Sequence, residues 1–374
     1  MRLRLLVVAA AAALTVVAPS LAAPPGVVAR AYLVANASTG EVLASRNADA
    51  RVPIASITKL MTVLVVLEHA KPTDVVTVRR RATAVGESTI HLRAGERITV
   101  GDLIDGALIQ SANDAADALA DHVGHGNVAR FVAMMNAKAR KLGLKETHFS
   151  RPDGLDAPGH VSSARDVVKL AEIAMHNRIV RAAVRRRSAT IEGGRVLHTW
   201  NDLLGTFPGL LGVKTGHTGD AGWCQVAAAR GRGLTIYAAV LGSPTRTVRN
   251  DGLAALLAWG LTRYRVVPLV DPDRAYASVA VGWGLRPVPL VAPRALVRSV
   301  RLGRPLVERV VAPVSAPLPL RKGARLGEVR VYYGGQLVGT EPLVASRSVE
   351  RPGLGRRVSW YTGRTVHHMW GWFT

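Results

Sequence analysis

The sequence predicts a mixed α/β domain whose sheet is assembled from both ends of the domain, followed by a small all-β domain. Three observations carry this. Strand-like alternation at 30–45 and again at Leu211–Thr215, Cys224–Arg230 and Leu234–Leu241 brackets a helical middle. After Tyr264 prolines cluster and short β-like runs recur. The chain has 374 residues, 48% hydrophobic and 20% charged, which is ample for two or three cored domains and argues against global disorder.

Taken in order, the amino end comes first. Arg2 and Arg4 precede an uncharged run from Leu5 to Ala22, and Ser20-Leu21-Ala22 before Ala23 fits a small-x-small cleavage site. That order of basic start, apolar middle and small-residue exit reads as a secretory signal peptide over 1–22. The alternative is an uncleaved anchor, against which Pro19 and the following Ala-Pro-Pro argue. Either way the bulk of the chain is expected outside the cytoplasm, and a nearly Cys-free exported protein suits a bacterial envelope.

Residues 30–45 break at Ser38-Thr39-Gly40 and read as a β-hairpin. Residues 56–70 form a strongly apolar helix opened by Ser56 and stopped near Pro72. Residues 99–122 read as two helices interrupted by the polar Gln110–Asp114, and further helices are expected at 127–142, 163–176 and about 248–260. The main domain is placed at 27–265. The β-domain, 268–350, has runs at Ala277–Val281, Leu296–Leu302 and Leu306–Val311, then a hairpin over Gly327–Val338 turning at Gly334-Gly335. A separate tail, 351–374, concentrates Trp and Arg. In it Val366, Met369, Trp370 and Phe373 recur at helical spacing, as in an amphipathic segment on an anionic membrane surface.

Charge and cysteine content narrow the function classes. Lys+Arg 49 against Asp+Glu 26 gives a net charge of +23, and residues 261–374 hold 18 basic against 6 acidic side chains. That basic third suits anionic lipid or wall polymer. Without an RNP-like aromatic motif, zinc finger or helix-turn-helix signature, no nucleic acid partner is expected. The single cysteine, Cys224, excludes an intrachain disulfide and a Cys-ligated metal centre; in a strand after Trp223 it reads as a small buried hydrophobe.

Three short motifs carry the chemistry: Ser56-Ile57-Thr58-Lys59, Ser111-Ala112-Asn113 and Lys214-Thr215-Gly216. Ser56 and Lys59, three apart on a helix, share one face, so an unprotonated Lys59 amine can take the Ser56 proton. At a helix start, unpaired N–H groups favour negative charge developing at Ser56. Lys214 at a strand end supplies a second cation, and nearby cations together with partial burial are expected to lower the Lys59 pKa. Each motif alone is weak; all three in order, on helix, loop and strand, make a strong signal.

Here the chain resembles the penicilloyl serine transferases, whose signature is S-x-x-K, a Ser-Asp-Asn-type motif and Lys-Thr-Gly. Within them it is similar to the low-molecular-mass penicillin-binding proteins, the D-alanyl-D-alanine carboxypeptidases of peptidase family S11. The likeness extends to Pro53–Thr62, Gln110–Ala116, Gly154-Leu155-Asp156, and Gly212–Thr218 with Ala221-Gly222. It covers roughly 28–265 closely and the β-domain more loosely. The resemblance implies a penicillin-binding, β-lactamase-like transpeptidase fold of α/β (α+β) class. It implies Ser56 as acylated nucleophile, Lys59 as its general base and Ser111 as proton shuttle to the leaving amine. Asn113 would bind the substrate amide, Lys214 would tune the network, and Thr215 and Arg249 would hold a terminal carboxylate. The backbone N–H groups of Ser56 and of His217, after Gly216, would form the oxyanion hole. No metal or cofactor is implied; the partners are peptidoglycan stem peptides, with β-lactams as inhibitors.

The remaining polar residues read more blandly. The His217 ring is not expected to act as a base. Asp114 and Asp117 read as caps and surface charge, and His367-His368 as incidental. Glu146 lies near where class A β-lactamases carry a deacylating Glu, but it lacks the Asn four residues on and reads as a loop surface carboxylate. The expected reaction is removal of the terminal D-alanine from stem pentapeptides through a Ser56 acyl-enzyme. The rivals are a β-lactamase, a D,D-endopeptidase and a non-catalytic wall-binding protein.

Overall fold

The structure is a computed structural model that describes residues 12–14, 23–360 and 362. The signal-peptide reading lies outside the described residues except for a short strand, Ala12–Leu14, and Val366 to Phe373 of the tail lie outside them entirely. The chain divides into two compact units, with the boundary between Arg263 and Tyr264.

In the first unit five antiparallel strands lie in the order β2-β1-β5-β4-β3: β1 is Ala31–Asn36, β2 Val42–Arg46, β3 Leu210–Thr218, β4 Gly222–Gly231 and β5 Leu234–Ser243. The β1–β2 hairpin turns at Gly40, and β1 pairs with the central β5, so the sheet does join the two ends of the domain. Parity along the strands separates its faces. Leu33, Ala35, Tyr237, Ala239 and Leu241 belong to one large core. The alternate residues Val34 and Ile236 meet Gly260 of α6, Arg246–Thr262, on the other face.

The large core is completed by helices. α1, Lys59–His69, has eight buried residues from Lys59 to Val66, the pattern of a helix enclosed on most sides rather than lying on a surface. Around it pack α3 (Asn113–Val123), α4 (Val128–Lys141) and α5 (Ala164–His176), and α2 (Val100–Asp105) packs on α3. α2 is capped by the Thr99 hydroxyl, which accepts from the Asp102 N–H, and α5 by Ser163, which accepts from Asp166 N–H.

Two sequence expectations change here. Ser56 does not open the long helix. It sits in a 3-10 turn, Ala55–Thr58, entered through Ala55 in the left-handed region at φ 49°, and α1 begins at Lys59. The break after α2 is also shorter than expected. A π-helical turn, Gly106–Gln110, ends at Ser111, whose φ of 64° reverses the chain before α3.

The second unit is built mainly of β-strands. Its larger sheet runs Ala12–Leu14, β10 (Leu306–Val311), β11 (Arg325–Tyr333), β12 (Gln336–Ala345), β8 (Val288–Val291), β7 (Ala275–Val279). A separate ribbon pairs β6 (Tyr264–Val270) with β9 (Leu296–Arg301). The β11–β12 hairpin turns at Gly334-Gly335, both at positive φ. Val279, Leu290, Val329, Val331 and Leu343 fill the core. Residues 354–360 are helical, and no helix among the described residues is long and apolar enough to cross a membrane.

Candidate active site

The three motifs, far apart in sequence, line one cavity of about 260 Å³. Its walls include Ser56, Ser111, Asn113, Thr215, Gly216 and His217. Arg249, on the first turn of α6, lines it too, and Lys59 and Lys214 lie beneath, both buried.

Lys59 is the centre of the arrangement. Its Nζ donates to Ser56 Oγ at 2.7 Å, to Asn113 Oδ1 at 2.7 Å and to the Asp153 carbonyl at 2.6 Å. Two of those acceptors are fixed protein groups, so when the amine gives up a proton the lone pair faces Ser56. Burial pulls the Lys59 pKa from 10.5 to about 8, opposed by the carboxylates of Asp153 and Glu87. Burial also leads at Lys214, which is held well below the lysine range, with repulsion from Lys59 and Arg249 adding to it. Desolvation, rather than repulsion between the two ammonium groups, is thus the main cause for both.

Lys214 Nζ donates to Ser111 Oγ at 2.7 Å and to the Thr215 carbonyl at 3.0 Å. Each motif serine therefore carries its own lysine. β3 reaches Ser56 closely: a Cβ on Gly216 would stand 2.9 Å from the Ile54 carbonyl oxygen and 3.0 Å from the Ser56 nitrogen. Only glycine lets the strand approach so near.

The 151–156 loop closes the site from behind. Arg151 grips the Asp153 carboxylate with two bonds, 2.6 and 2.7 Å, and the Leu155 N–H donates to it at 3.0 Å. Burial would raise that carboxyl, but Arg151 and Lys59 outweigh it and hold it below the usual range. Gly154, at φ 89°, has no room for a Cβ, which would lie 2.2 Å from the Ala55 carbonyl oxygen. Asp156 then accepts from the Thr218 hydroxyl at 2.6 Å, tying the loop to the end of β3.

His160 locks the 3-10 turn that holds Ser56. Its Nδ1 accepts from the Ser150 N–H, so the proton sits on Nε2, which donates to Thr58 Oγ1 at 2.7 Å. Burial takes its pKa from 6.5 down to about 4, opposed by the carboxylate of Asp153, aided by Arg151 and His148, and opposed weakly by Asp156. As pH falls below 6.5 the unfolded chain binds a proton that folded His160 refuses until about pH 4, so stability present above that window is lost within it. Asp117, raised by burial to about 6, works in the opposite sense between 6 and its ordinary 3.8. The expected result is therefore a difference: the wild-type loss of stability from pH 7 to pH 4, followed by denaturant unfolding, shrinks by roughly 2–4 kcal/mol in His160→Gln. Parallel curves for the two proteins contradict it.

The other polar residues are placed as follows by the fold. The His217 ring is exposed and stacks on Trp223, centroids 4.0 Å apart. Glu146 pairs with Arg51 at 2.8 Å and is not among the residues lining the cavity. Cys224 is buried. Asp114 and Asp117 are corrected: both are buried, Asp114 accepting from the N–H groups of Ile90, Leu92 and Ala115, because α3 turns its acidic side inward against the 79–92 segment. Sequence reasoning missed Glu87, Trp200, Trp223 and Arg246 in the cavity wall, and Asp153 and His160 behind it. Only Asp153 left a signal, inside Arg151-Pro152-Asp153-Gly154-Leu155. Among the described residues no group of three His, Cys, Asp or Glu could hold a metal ion.

The family profile described as D-alanyl-D-alanine carboxypeptidase, peptidase S11, matches residues 18–245. The chain belongs to that family. It is 32% identical over 372 residues to D-alanyl-D-alanine carboxypeptidase DacC of Escherichia coli (strain K12), covering 94% of this chain and 92% of the relative. To D-alanyl-D-alanine carboxypeptidase DacF of Bacillus subtilis (strain 168) it is 30% identical over 340 residues, 87% of each. Among solved structures, penicillin binding protein 5 from Haemophilus influenzae superposes with a TM-score of 0.65 at 28% identity, over 88% of this chain and all of that one. The Streptomyces K15 DD-transpeptidase gives 0.61 at 32% identity, over 64% of this chain and all of that one. Both solved folds bear out the α/β class, the one from Haemophilus influenzae over most of the chain including its β-rich C-terminal unit, and the S11 chain is a serine peptidase, a hydrolase.

Proposed function

We propose that this S11 carboxypeptidase removes the terminal D-alanine of peptidoglycan stem pentapeptides through an acyl-enzyme on Ser56. The observation that carries the reading is the Lys59 amine, which has two fixed acceptors and a third hydrogen bond to Ser56 Oγ. Lys59 takes the Ser56 proton as Oγ attacks the carbonyl of the penultimate D-alanine. The oxyanion is met by the N–H groups of Ser56 and His217, a reading supported by the close approach of Gly216. Ser111, bonded to Lys214, passes a proton to the departing D-alanine amine. Water then hydrolyses the ester. A β-lactam enters the same path, its ring amide standing in for the D-Ala-D-Ala bond.

The enzyme works outside the cytoplasm on the cell wall. Export through residues 1–22 and attachment through the 351–374 tail to an anionic membrane surface complete the proposal, the first resting on the Arg2 to Ala23 pattern and the second on the tail's Trp and Arg content.

The terminal carboxylate needs a fixed cation. Arg249 is buried yet lines the cavity; its guanidinium bonds Asn250 Oδ1, lies 3.5 Å from Asp202 and packs 5.6 Å over the Trp223 ring. Burial lowers its pKa to about 10, which leaves it charged at working pH. Arg249→Ala is expected to lower kcat/KM on peptides ending in free D-alanine by roughly ten- to a hundredfold, the loss of one charge-assisted contact. An amidated analogue, already poor, changes little. Equal losses on both substrates would mean that Arg249 supports the fold instead.

A further inference from the structure

The cavity carries a charge that this chemistry does not use. Among the described residues lining it, Glu87 is the one carboxylate, and Arg246 and Arg249 are the cations. Gly86 and Ser88, on either side of Glu87, are both fastened to Asn113. The Asn113 side-chain amide donates to the Gly86 carbonyl at 2.9 Å, and the Asn113 N–H to the Ser88 carbonyl at 2.7 Å. Ser88 Oγ also donates to the Gln110 carbonyl at 2.8 Å. Between these anchors Glu87 holds φ 63°, a left-handed backbone that a non-glycine residue adopts only when its surroundings impose it. The loop is thus set, and it presents an exposed carboxylate at the cavity. No described protein group ion-pairs or hydrogen-bonds with that carboxylate.

The cavity is therefore bipolar. The proposed terminal-carboxylate site lies at Thr215 and Arg249, the reacting carbonyl at Ser56, and the upstream amide at Asn113. A donor peptide laid along these points carries its next side chain to the loop fastened to Asn113, where Glu87 stands. An acidic side chain is repelled there and a cation attracted.

We propose that Glu87 is a specificity-determining residue that selects acyl donors bearing a free ammonium on the side chain of the residue just before the two D-alanines. The substrate class is then D-Ala-D-Ala peptides in which a diamino acid with an uncapped amine occupies that position. This rests on the carboxypeptidase reading above. Glu87 also favours the protonated form of Lys59, but that influence acts on every substrate alike, so a ratio between two substrates cancels it.

The test uses the full chain and two peptides, lysyl-D-Ala-D-Ala with its ε-amine free and the same peptide with that amine acetylated, both blocked at the α-amine. The wild type is expected to prefer the free amine in kcat/KM by roughly 1.5- to fivefold at low salt, the range for an ion pair open to solvent, and less at high salt. In Glu87→Gln the ratio falls to near one; in Glu87→Asp part of it returns; in Glu87→Lys the acetylated peptide becomes the better substrate. A wild-type ratio near one, or a ratio that Glu87→Gln leaves intact, overturns the inference while D-alanine release upholds the carboxypeptidase reading. No release from either peptide overturns that reading, and this inference with it.

Discussion

Ser56→Ala is expected to lose D-alanine release by a factor on the order of 10⁴ or more, and to lose covalent labelling by penicillin altogether. The size follows from what the hydroxyl does: without it no acyl-enzyme forms, and the second, easier step has nothing to act on. Two serines line the cavity close to a lysine, so the mutant also separates them. Ser111 Oγ is bonded to Lys214 at 2.7 Å, as Ser56 Oγ is to Lys59. What favours Ser56 is its backbone, in a turn pressed against Gly216 and Gly154, where N–H groups can meet an oxyanion. Labelling that persists in Ser56→Ala and moves to Ser111 would reverse the assignment.

Lys59→Arg comes next in size. A guanidinium keeps the charge but does not release a proton at working pH, so acylation should fall by about 10²- to 10⁴-fold, the usual contribution of a general base. The site is fully buried, so thermal unfolding must show a folded variant, and the wild-type pH profile gives an independent reading. With Lys59 near 8, roughly a tenth of the amine is neutral at pH 7 and about nine-tenths at pH 9. Acylation is expected to rise through that interval and level off above it. A wild-type rate flat from pH 6.5 to pH 9, with acylation confirmed as the limiting step, would place the base elsewhere.

Much of this fold is legible in the sequence because its signals are local. The Ser38-Thr39-Gly40 and Gly334-Gly335 turns, the apolar run of α1 and the three strands ending in β5 announce themselves through residue type and period. The 3-10 turn at Ser56 and the π turn before Ser111 do not. Both depend on tertiary contacts, with Gly154 and Gly216 crowding the one and Asn113 anchoring the other to the 86–88 loop, and no helical period reveals them. The site shows the same division. Ser56, Lys59, Ser111, Asn113 and Lys214 stand in recognisable triplets. Asp153 acts through its carbonyl, a group every residue has, and His160 reaches Thr58 across 102 residues of chain. Asp114 and Asp117 misled because α3 is amphipathic by pattern, yet its acidic side faces inward, where backbone N–H groups and Arg81 receive it.

The most direct test of the whole account is to stop the wild-type enzyme during reaction with a penicillin, digest it, and locate the adduct by mass spectrometry. One penicilloyl group per chain on the peptide holding Ser56, formed by the same protein that frees D-alanine from a D-Ala-D-Ala peptide, is the predicted result. An adduct on Ser111 or any other residue, or D-alanine release from a chain that never carries one, would contradict it.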